Sequence, residues 1–230
     1  MIFGIHWNLT SDWAFAASII PILLRGMIVT VEATVLGFLI ALILGLIFAL
    51  LRAVPLKIVS WPIAVIVEFL RDTPLLVQLY FLYFVLPNYG VVLPAFLTGA
   101  IALGLQYSAY TSEVYRAGLE AVPRGQWEAS MALNMPMVLV YRDVVVPQAI
   151  PRVVPALGNY LVSIIKDTPI LSAVTVLEML NLATIIGDRT YRYLVPLSEV
   201  GGLFLILTIF SSWLVRVLER RLPNDGIPLR

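Results

Sequence analysis

Two short runs place charges inside otherwise apolar sequence. One reads Phe69-Leu70-Arg71-Asp72-Thr73-Pro74-Leu75-Leu76, the other Ile164-Ile165-Lys166-Asp167-Thr168-Pro169-Ile170-Leu171, 95 residues later. Each runs apolar, apolar, base, Asp, Thr, Pro, aliphatic, Leu. Proline has no N–H and clashes with the carbonyl four residues back, so each run predicts a helix that kinks or breaks just before it. Thr and Asp are residue types that cap a restarted helix, and free N–H groups at such a start favour an anion. Facing a common cavity, Arg71 with Asp72 and Lys166 with Asp167 can bind or gate a solute bearing both carboxylate and cationic groups. Facing neighbouring helices, they are packing kinks with internal base–acid pairs. Both readings stay open at the level of the residues.

Composition sets the elements that hold these runs. The chain has 230 residues, 60% hydrophobic and 13% charged, with a mean hydropathy of +0.95. Soluble domains carry about a quarter charged residues, so this composition is that of an all-α polytopic membrane protein. A net charge of +1 excludes a strongly basic nucleic-acid binder and an acidic disordered tail. The chain has no cysteine, hence no disulfide scaffold, thiolate nucleophile or cysteine-ligated metal. A single histidine, His6, leaves a Ser-His-Asp triad or His-rich metal site without parts.

A helix crossing a hydrocarbon core of roughly 30 Å needs about 20 apolar residues. Five stretches qualify: Gly26 to Leu51, Ile58 to Leu86, Leu93 to Val114, Val153 to Leu177 and Leu194 to Leu218. The turn formers Pro87-Asn88-Tyr89-Gly90 separate the second from the third. The two charged runs fall in the second and fourth spans, which share a direction, so the correspondence is parallel rather than inverted. Residues 1–25, with Asp12 and several aromatics, read as an extracytoplasmic interfacial segment. Residues 26–220 read as one membrane domain with a polar loop at 116–152, and 221–230 as a cytoplasmic tail. The start lacks a basic region and a small-residue cleavage site, which argues against a cleaved signal peptide.

The basic residues orient the spans. Segments on one side hold Arg52, Lys57, Arg116, Arg124, Arg142, Arg152, Arg216, Arg220, Arg221 and Arg230, while the other side holds only Arg25, Arg189 and Arg192. Cytoplasmic segments collect Lys and Arg, so the N-terminus is expected outside and the C-terminus inside. Other polar residues in the spans are Glu32, Glu68, Gln78, Gln106, Asn159 and Glu178. Gln78 and Gln106 fit either the solute path or a hydrogen bond between helices, whereas Glu68 and Glu178 lie near span ends, where headgroup water reaches. Gly37, Ala41 and Gly45 recur every four residues and predict close helix packing.

The loop after the third span reads Arg124-Gly125-Gln126-Trp127-Glu128-Ala129-Ser130-Met131-Ala132-Leu133-Asn134-Met135-Pro136. Gln126 to Leu133 predicts a short helix, ended by Asn134 in the left-handed conformation, with Pro136 barring its continuation. By shape alone this helical elbow is as much a connector as a docking element.

Glu128-Ala129-Ser130, Asn134, Val144 and Val146-Pro147 resemble the EAA loop of ABC-importer membrane subunits. Arg124-Gly125-Gln126-Trp127, Pro147-Gln148-Ala149, Leu157-Gly158-Asn159 and both charged runs resemble the polar-amino-acid branch, which includes histidine, glutamine and arginine importers. Ectoine and hydroxyectoine permeases share the pattern. The resemblance covers roughly residues 20 to 220 and implies the five-span, MetI-like fold of type I importers. It implies that Arg124, Gly125, Glu128, Ala129, Ser130 and Asn134 form a coupling helix that seats in a separate cytoplasmic ATPase. It also implies a second identical or related permease subunit, an extracytoplasmic solute-binding protein and a bacterial inner-membrane location. Arg71, Asp72, Thr73, Gln78, Gln106, Lys166, Asp167 and Thr168 are the candidates for the path or gate of a small polar solute.

No G-x-x-x-x-G-K-[ST] is present, so ATP and Mg are expected to be used by the partner ATPase, with no cofactor or metal bound here and no catalytic residue. A membrane enzyme has neither HExxH nor a paired acidic motif to work with. A scaffold that docks an ATPase without passing solute is the remaining alternative. Asn134 stands where the loop usually has Gly, Ser130 replaces an Ala, Asp72 stands where Gly is frequent, and Pro169 where Ser is frequent.

Overall fold

The computed structural model describes residues 11–221, and every regular element among them is helical. Ser11 starts α1 (Asp12–Ala53): its Oγ accepts from the Ala14 N–H at 3.1 Å, and Asp12 lies at the positive end of the helix dipole. With 42 residues, α1 is about 63 Å long, twice the hydrocarbon thickness. Its helix includes residues 12–25, which the sequence sets apart as an interfacial segment, so no element boundary falls at Gly26. Residues 1–10, including His6, and the tail from 222 onward lie outside the described residues.

The reason for that early start is tertiary. Phe15, Ile19, Ile22 and Leu23 on the first half of α1 are buried in one cluster with Met179, Leu182, Ile186 and Val200. Arg192 forms an ion pair with Asp12 at 3.2 Å and lies over the Phe15 ring, 5.5 Å from its centroid. These contacts hold the first turns of α1 against α8 (Met179–Thr190) and α9 (Leu194–Glu219).

The second half of α1 packs on α4 (Ala95–Glu120) through small residues. The Thr111 hydroxyl of α4 donates to the Ala41 carbonyl at 2.7 Å. A Cβ on Gly45 would come within 2.0 Å of Thr111 Oγ1, and one on Gly104 within 2.4 Å of Ile40. Side chains this small let two backbones touch, the usual basis of helix association in lipid.

Between them, α2 (Lys57–Asp72) stops at Thr73–Pro74, and α3 (Leu75–Tyr80) leaves at a bend of 105°, extended by a π-helical turn (Phe81–Val85) and a 3-10 turn (Leu86–Tyr89). After α4 come α5 (Arg124–Ala132), α6 (Met137–Leu139), a π-helical turn (Val140–Val145) and α7 (Val146–Asp167). The second proline run tightens rather than breaks the chain: α7 passes into a 3-10 helix (Thr168–Val174) before α8 (Met179–Thr190), and the two bodies meet at 48°. The chain closes with α9 (Leu194–Glu219).

By length and composition, α1 and α9 each suffice to cross a membrane, as does each bent pair if taken as one broken span. The helix α4 is different. Its 26 residues are long enough at about 39 Å, yet it carries buried Gln106, Ser108, Thr111 and Ser112. It tolerates them because it lies at the centre, packed by α1, α2, α3 and α7.

Glu178 departs from its expected place beside headgroup water. It is fully buried, and its carboxylate caps α8, with Oε2 accepting from the Leu180 N–H at 2.8 Å and Oε1 from the Asn181 N–H at 2.7 Å. The physical reason is α8 itself, a helix that span counting overlooks and whose first N–H groups need an internal acceptor.

Candidate functional site

At the first break, Arg71 pairs with Glu68 at 3.3 Å, one turn back, and not with the adjacent Asp72, which is exposed. Thr73 does not cap α3; its hydroxyl donates to the Phe69 carbonyl at 2.6 Å. Pro74 occupies the cap position instead, where its missing N–H costs nothing. The break leaves the Leu70 and Thr73 carbonyls without a following turn, and Gln78 Nε2 reaches back to them at 2.8 and 3.2 Å. The same Nε2 donates to Gln106 Oε1 on α4 at 2.6 Å. Gln78 therefore serves two purposes, tying the bend and joining it to the central helix. Its Oε1 is buried and accepts nothing among the described residues, beside an apolar cavity of about 370 Å³ lined by Phe69, Val77, Phe81, Leu82 and Leu105.

At the second run, Thr168 is buried and donates to the Ile165 carbonyl at 2.8 Å, again a bond to the preceding turn rather than a cap. Lys166 is exposed and makes no ion pair among the described residues. Asp167 is held from α4: the Tyr107 hydroxyl donates to its Oδ2 at 2.6 Å. The internal base–acid pairing expected within each run is thus absent, because a base and an acid adjacent on a helix point about 100° apart and find other neighbours.

What joins the two runs is a polar and aromatic band on α4. Gln106 Nε2 donates to the Tyr110 hydroxyl at 3.2 Å. Tyr110 lies nearly parallel to Tyr160 of α7, with centroids 5.7 Å apart and planes at 21°, while Tyr107 meets both rings at 5.9 Å. From Leu70 to Asp167 the order is break, Gln78, Gln106, Tyr110, Tyr160, Tyr107, Asp167. Of the candidate path residues, Gln78, Gln106 and Asp167 are linked through this band, the two amides buried and Asp167, like Asp72 and Lys166, exposed. The three tyrosines carry no charge, so the sequence marks them only through Gln106, Tyr107 and Tyr110 at helical spacing in an otherwise apolar span. Aromatic faces beside a carboxylate and two amides can hold a cationic or zwitterionic group.

A second candidate surface is the elbow. Asn134 adopts φ 51°, and the Met135 N–H donates to the Ser130 carbonyl at 3.1 Å while the Asn134 N–H donates to Met131 at 2.9 Å. That pair of bonds is the Schellman closure of a helix. Ser130 is buried and contributes to the closure through its carbonyl, while its hydroxyl donates to the Gln126 carbonyl at 2.7 Å. Arg124, Gly125, Glu128, Ala129 and Asn134 are exposed on the outer side of α5. Below it, Trp127 meets Tyr141 edge-on at 5.3 Å and packs with Val122, Val140, Val145 and Met135. Exposed Leu133, Met137 and Val138 extend the elbow's outer face with apolar surface that nothing among the described residues covers.

Known proteins share the helical frame that carries these two surfaces. The family described as "binding-protein-dependent transport system inner membrane component" matches residues 41–223. A probable amino-acid ABC transporter permease of Sinorhizobium fredii is 58% identical over 231 residues, covering 100% of both chains. The L-cystine transport system permease of Bacillus subtilis is 36% identical, covering 95% of this chain and 92% of that one. A crystal structure of an amino acid ABC transporter with histidines superposes with a TM-score of 0.87 at 36% identity, over 93% of this chain and 100% of its own. The inward-facing MetNI methionine transporter shares the fold at a TM-score of 0.77 and 19% identity, over 90% of this chain and 98% of its own. An all-helical MetI-like frame, a bent second element and an exposed helical elbow meet in one chain, which belongs to the binding-protein-dependent inner-membrane transport family as a permease subunit of an ABC importer.

Proposed function

We propose that this subunit passes a polar amino acid, or a similar small zwitterion, inward across the bacterial inner membrane. The observation that carries the reading is the band from Gln78 through Gln106 and the tyrosines to Asp167, which links both proline runs from a buried amide pair to an exposed carboxylate. The named solutes of its relatives, amino acids and L-cystine, support that class. Arg71, Asp72, Thr73, Lys166 and Thr168 flank the band as gate residues, with Arg71 and Lys166 supplying positive charge for a carboxylate.

In this reading the chain crosses the membrane five times, with α1, α2–α3, α4, α7–α8 and α9 as the spans. The N-terminal segment 1–25 begins outside, the transport domain is 26–220, and 221–230 is a cytoplasmic tail. The elbow within 116–152 faces the cytosol, where Arg124, Gly125, Glu128, Ala129 and Asn134 seat in the ATPase and Ser130 keeps α5 closed. The chain itself is no enzyme and binds no cofactor: ATP and Mg belong to that partner. A second permease subunit completes the path, and an extracytoplasmic binding protein delivers the solute. Transport then requires the outward and inward states to hold the solute differently, since only differential contact converts ATP-driven motion into direction.

Co-reconstitution with the partner ATPase and binding protein tests this. Amino-acid-stimulated ATP hydrolysis together with vesicle uptake is the expected result. Assembly of the complex with no uptake of any amino acid supports the scaffold reading instead.

A further inference from the structure

The turn between α1 and α2 encloses an open-sided groove of about 670 Å³, lined by Arg52, Lys57, Ile58, Ser60, Trp61 and Ala64. Two of its six lining residues are basic and none is acidic. Lys57, Ser60, Trp61 and Ala64 stand at i, i+3, i+4 and i+7 of α2, which is one face of a helix. That face has a polarity along its length. Lys57 is at the helix start, and measured from it along the axis Ser60 is about 4.5 Å, Trp61 about 6 Å and Ala64 about 10 Å toward the span interior.

The charges at the mouth are not equivalent. Arg52 is bonded to Glu113 of α4, which also binds Arg116 at 2.7 Å, so its charge is already shared. Lys57 is exposed and has no acidic partner among the described residues. Ser60 makes only a long bond, 3.3 Å, to the Leu56 carbonyl, and its hydroxyl can turn to an incoming acceptor. Trp61 is 70% exposed and Ile58 83%, a large apolar area at the level where a span meets the headgroups. Tryptophan is favoured at that depth because its ring is apolar and its N–H is polar.

We infer that this groove holds one anionic phospholipid of the cytoplasmic leaflet, its phosphate on Lys57 and Ser60 and its first acyl segments along Trp61 and Ala64. An amphiphile fits the order of groups along α2; a free phosphate uses only the mouth, and a protein partner leaves the charge without a counterpart. Basic grooves between helices at the inner surface recognise such headgroups, and anionic lipid is concentrated on that side. The inference rests on the proposed spans for the depth of the groove and on the proposed orientation for the choice of leaflet.

The test uses the assembled importer, extracted from membranes containing phosphatidylglycerol and examined by native mass spectrometry. Wild type is expected to retain phosphatidylglycerol on each permease chain, Lys57→Arg to retain it equally, and Lys57→Gln to retain about five-fold less, as loss of one basic contact beside an anionic surface implies. Trp61→Ala is expected to retain less through loss of the apolar contact to the acyl chain. Equal retention by wild type and Lys57→Gln overturns the inference. Displacement of the lipid by millimolar inorganic phosphate also overturns it, since the site would then recognise the free anion.

Orientation is read separately. The chain has no cysteine, so Lys57→Cys offers a single thiol to a membrane-impermeant maleimide. Labelling from outside intact cells would refute the proposed topology while leaving the lipid-retention result to stand on its own.

Discussion

The Tyr107 hydroxyl on α4 donates to the Asp167 carboxylate at the end of α7, at 2.6 Å, and so fixes the second proline run to the centre of the bundle. Tyr107→Phe keeps the ring contacts with Tyr110 and Tyr160 but releases the carboxylate. Hydrogen bonds between membrane helices contribute roughly 0.6 kcal/mol and at most about 1.7 kcal/mol, so a small fall in thermal stability is expected. A larger effect is expected on uptake, in the same direction as Asp167→Asn. Uptake at wild-type level for both variants would show that the contact is structural only.

Gly45 and Gly125 make a matched pair for separating packing from docking. A Cβ at Gly45 meets Thr111 and the Ser108 carbonyl, whereas one at Gly125 meets nothing within 4 Å. Gly45→Ala is expected to lower stability by about 1–3 kcal/mol through forced separation of α1 and α4. Gly125→Ala is expected to leave the isolated subunit's unfolding unchanged, so any loss in its affinity for the ATPase reports the interface. Thermal unfolding in detergent and co-purification measure the two effects.

Asn134 sits at positive φ, where a branched side chain is strained. Asn134→Val is expected to cost about 1–2 kcal/mol and to fray α5, while Asn134→Gly should be neutral or slightly stabilising. Limited proteolysis of the elbow checks this: faster cutting in the Val variant alone is the expected pattern, and equal cutting in all three rules out a strained turn.

Glu128 is exposed on α5 and has no ion pair among the described residues, so its charge is free to meet a partner. Glu128→Arg is expected to leave membrane insertion intact and to reduce ATPase co-purification and uptake together, by about ten-fold or more for a reversed charge at an interface. Normal uptake would remove Glu128 from the contact.

The break at Pro74, the small-residue stripe at Gly37, Ala41 and Gly45, and the helix ending at Asn134 were legible because each depends on local stereochemistry, whereas the second run continues through Pro169 as a 3-10 helix and the chain bends only after Val174. The pairing of charges was not legible. Adjacency in sequence suggested Arg71 with Asp72, but a helix brings together residues three or four apart, and Glu68 is the one within reach. The caps assigned to Thr73 and Thr168 failed for a similar reason: in lipid a hydroxyl gains most by bonding to the carbonyl one turn back, and both do. The helix α8 was hidden because its 12 residues are too short to register as a span, and Glu178 was misplaced along with it. The tyrosine band on α4 has no charge to draw notice, and only the approach of α7 gives it meaning.

The polarity of α4 bears on how the protein is made. A segment rich in amide and hydroxyl groups is a poor guest for lipid by itself, yet the long helix that accommodates it is synthesised first. The glycine-lined flank of α1 can already be waiting in the bilayer when α4 leaves the ribosome, offering the Ala41 carbonyl to Thr111 and a smooth groove to the rest. Assembly in that order makes the first helix a chaperone for α4, and it places defects at Gly37 or Gly45 among those that are felt during biogenesis, before any solute has been moved.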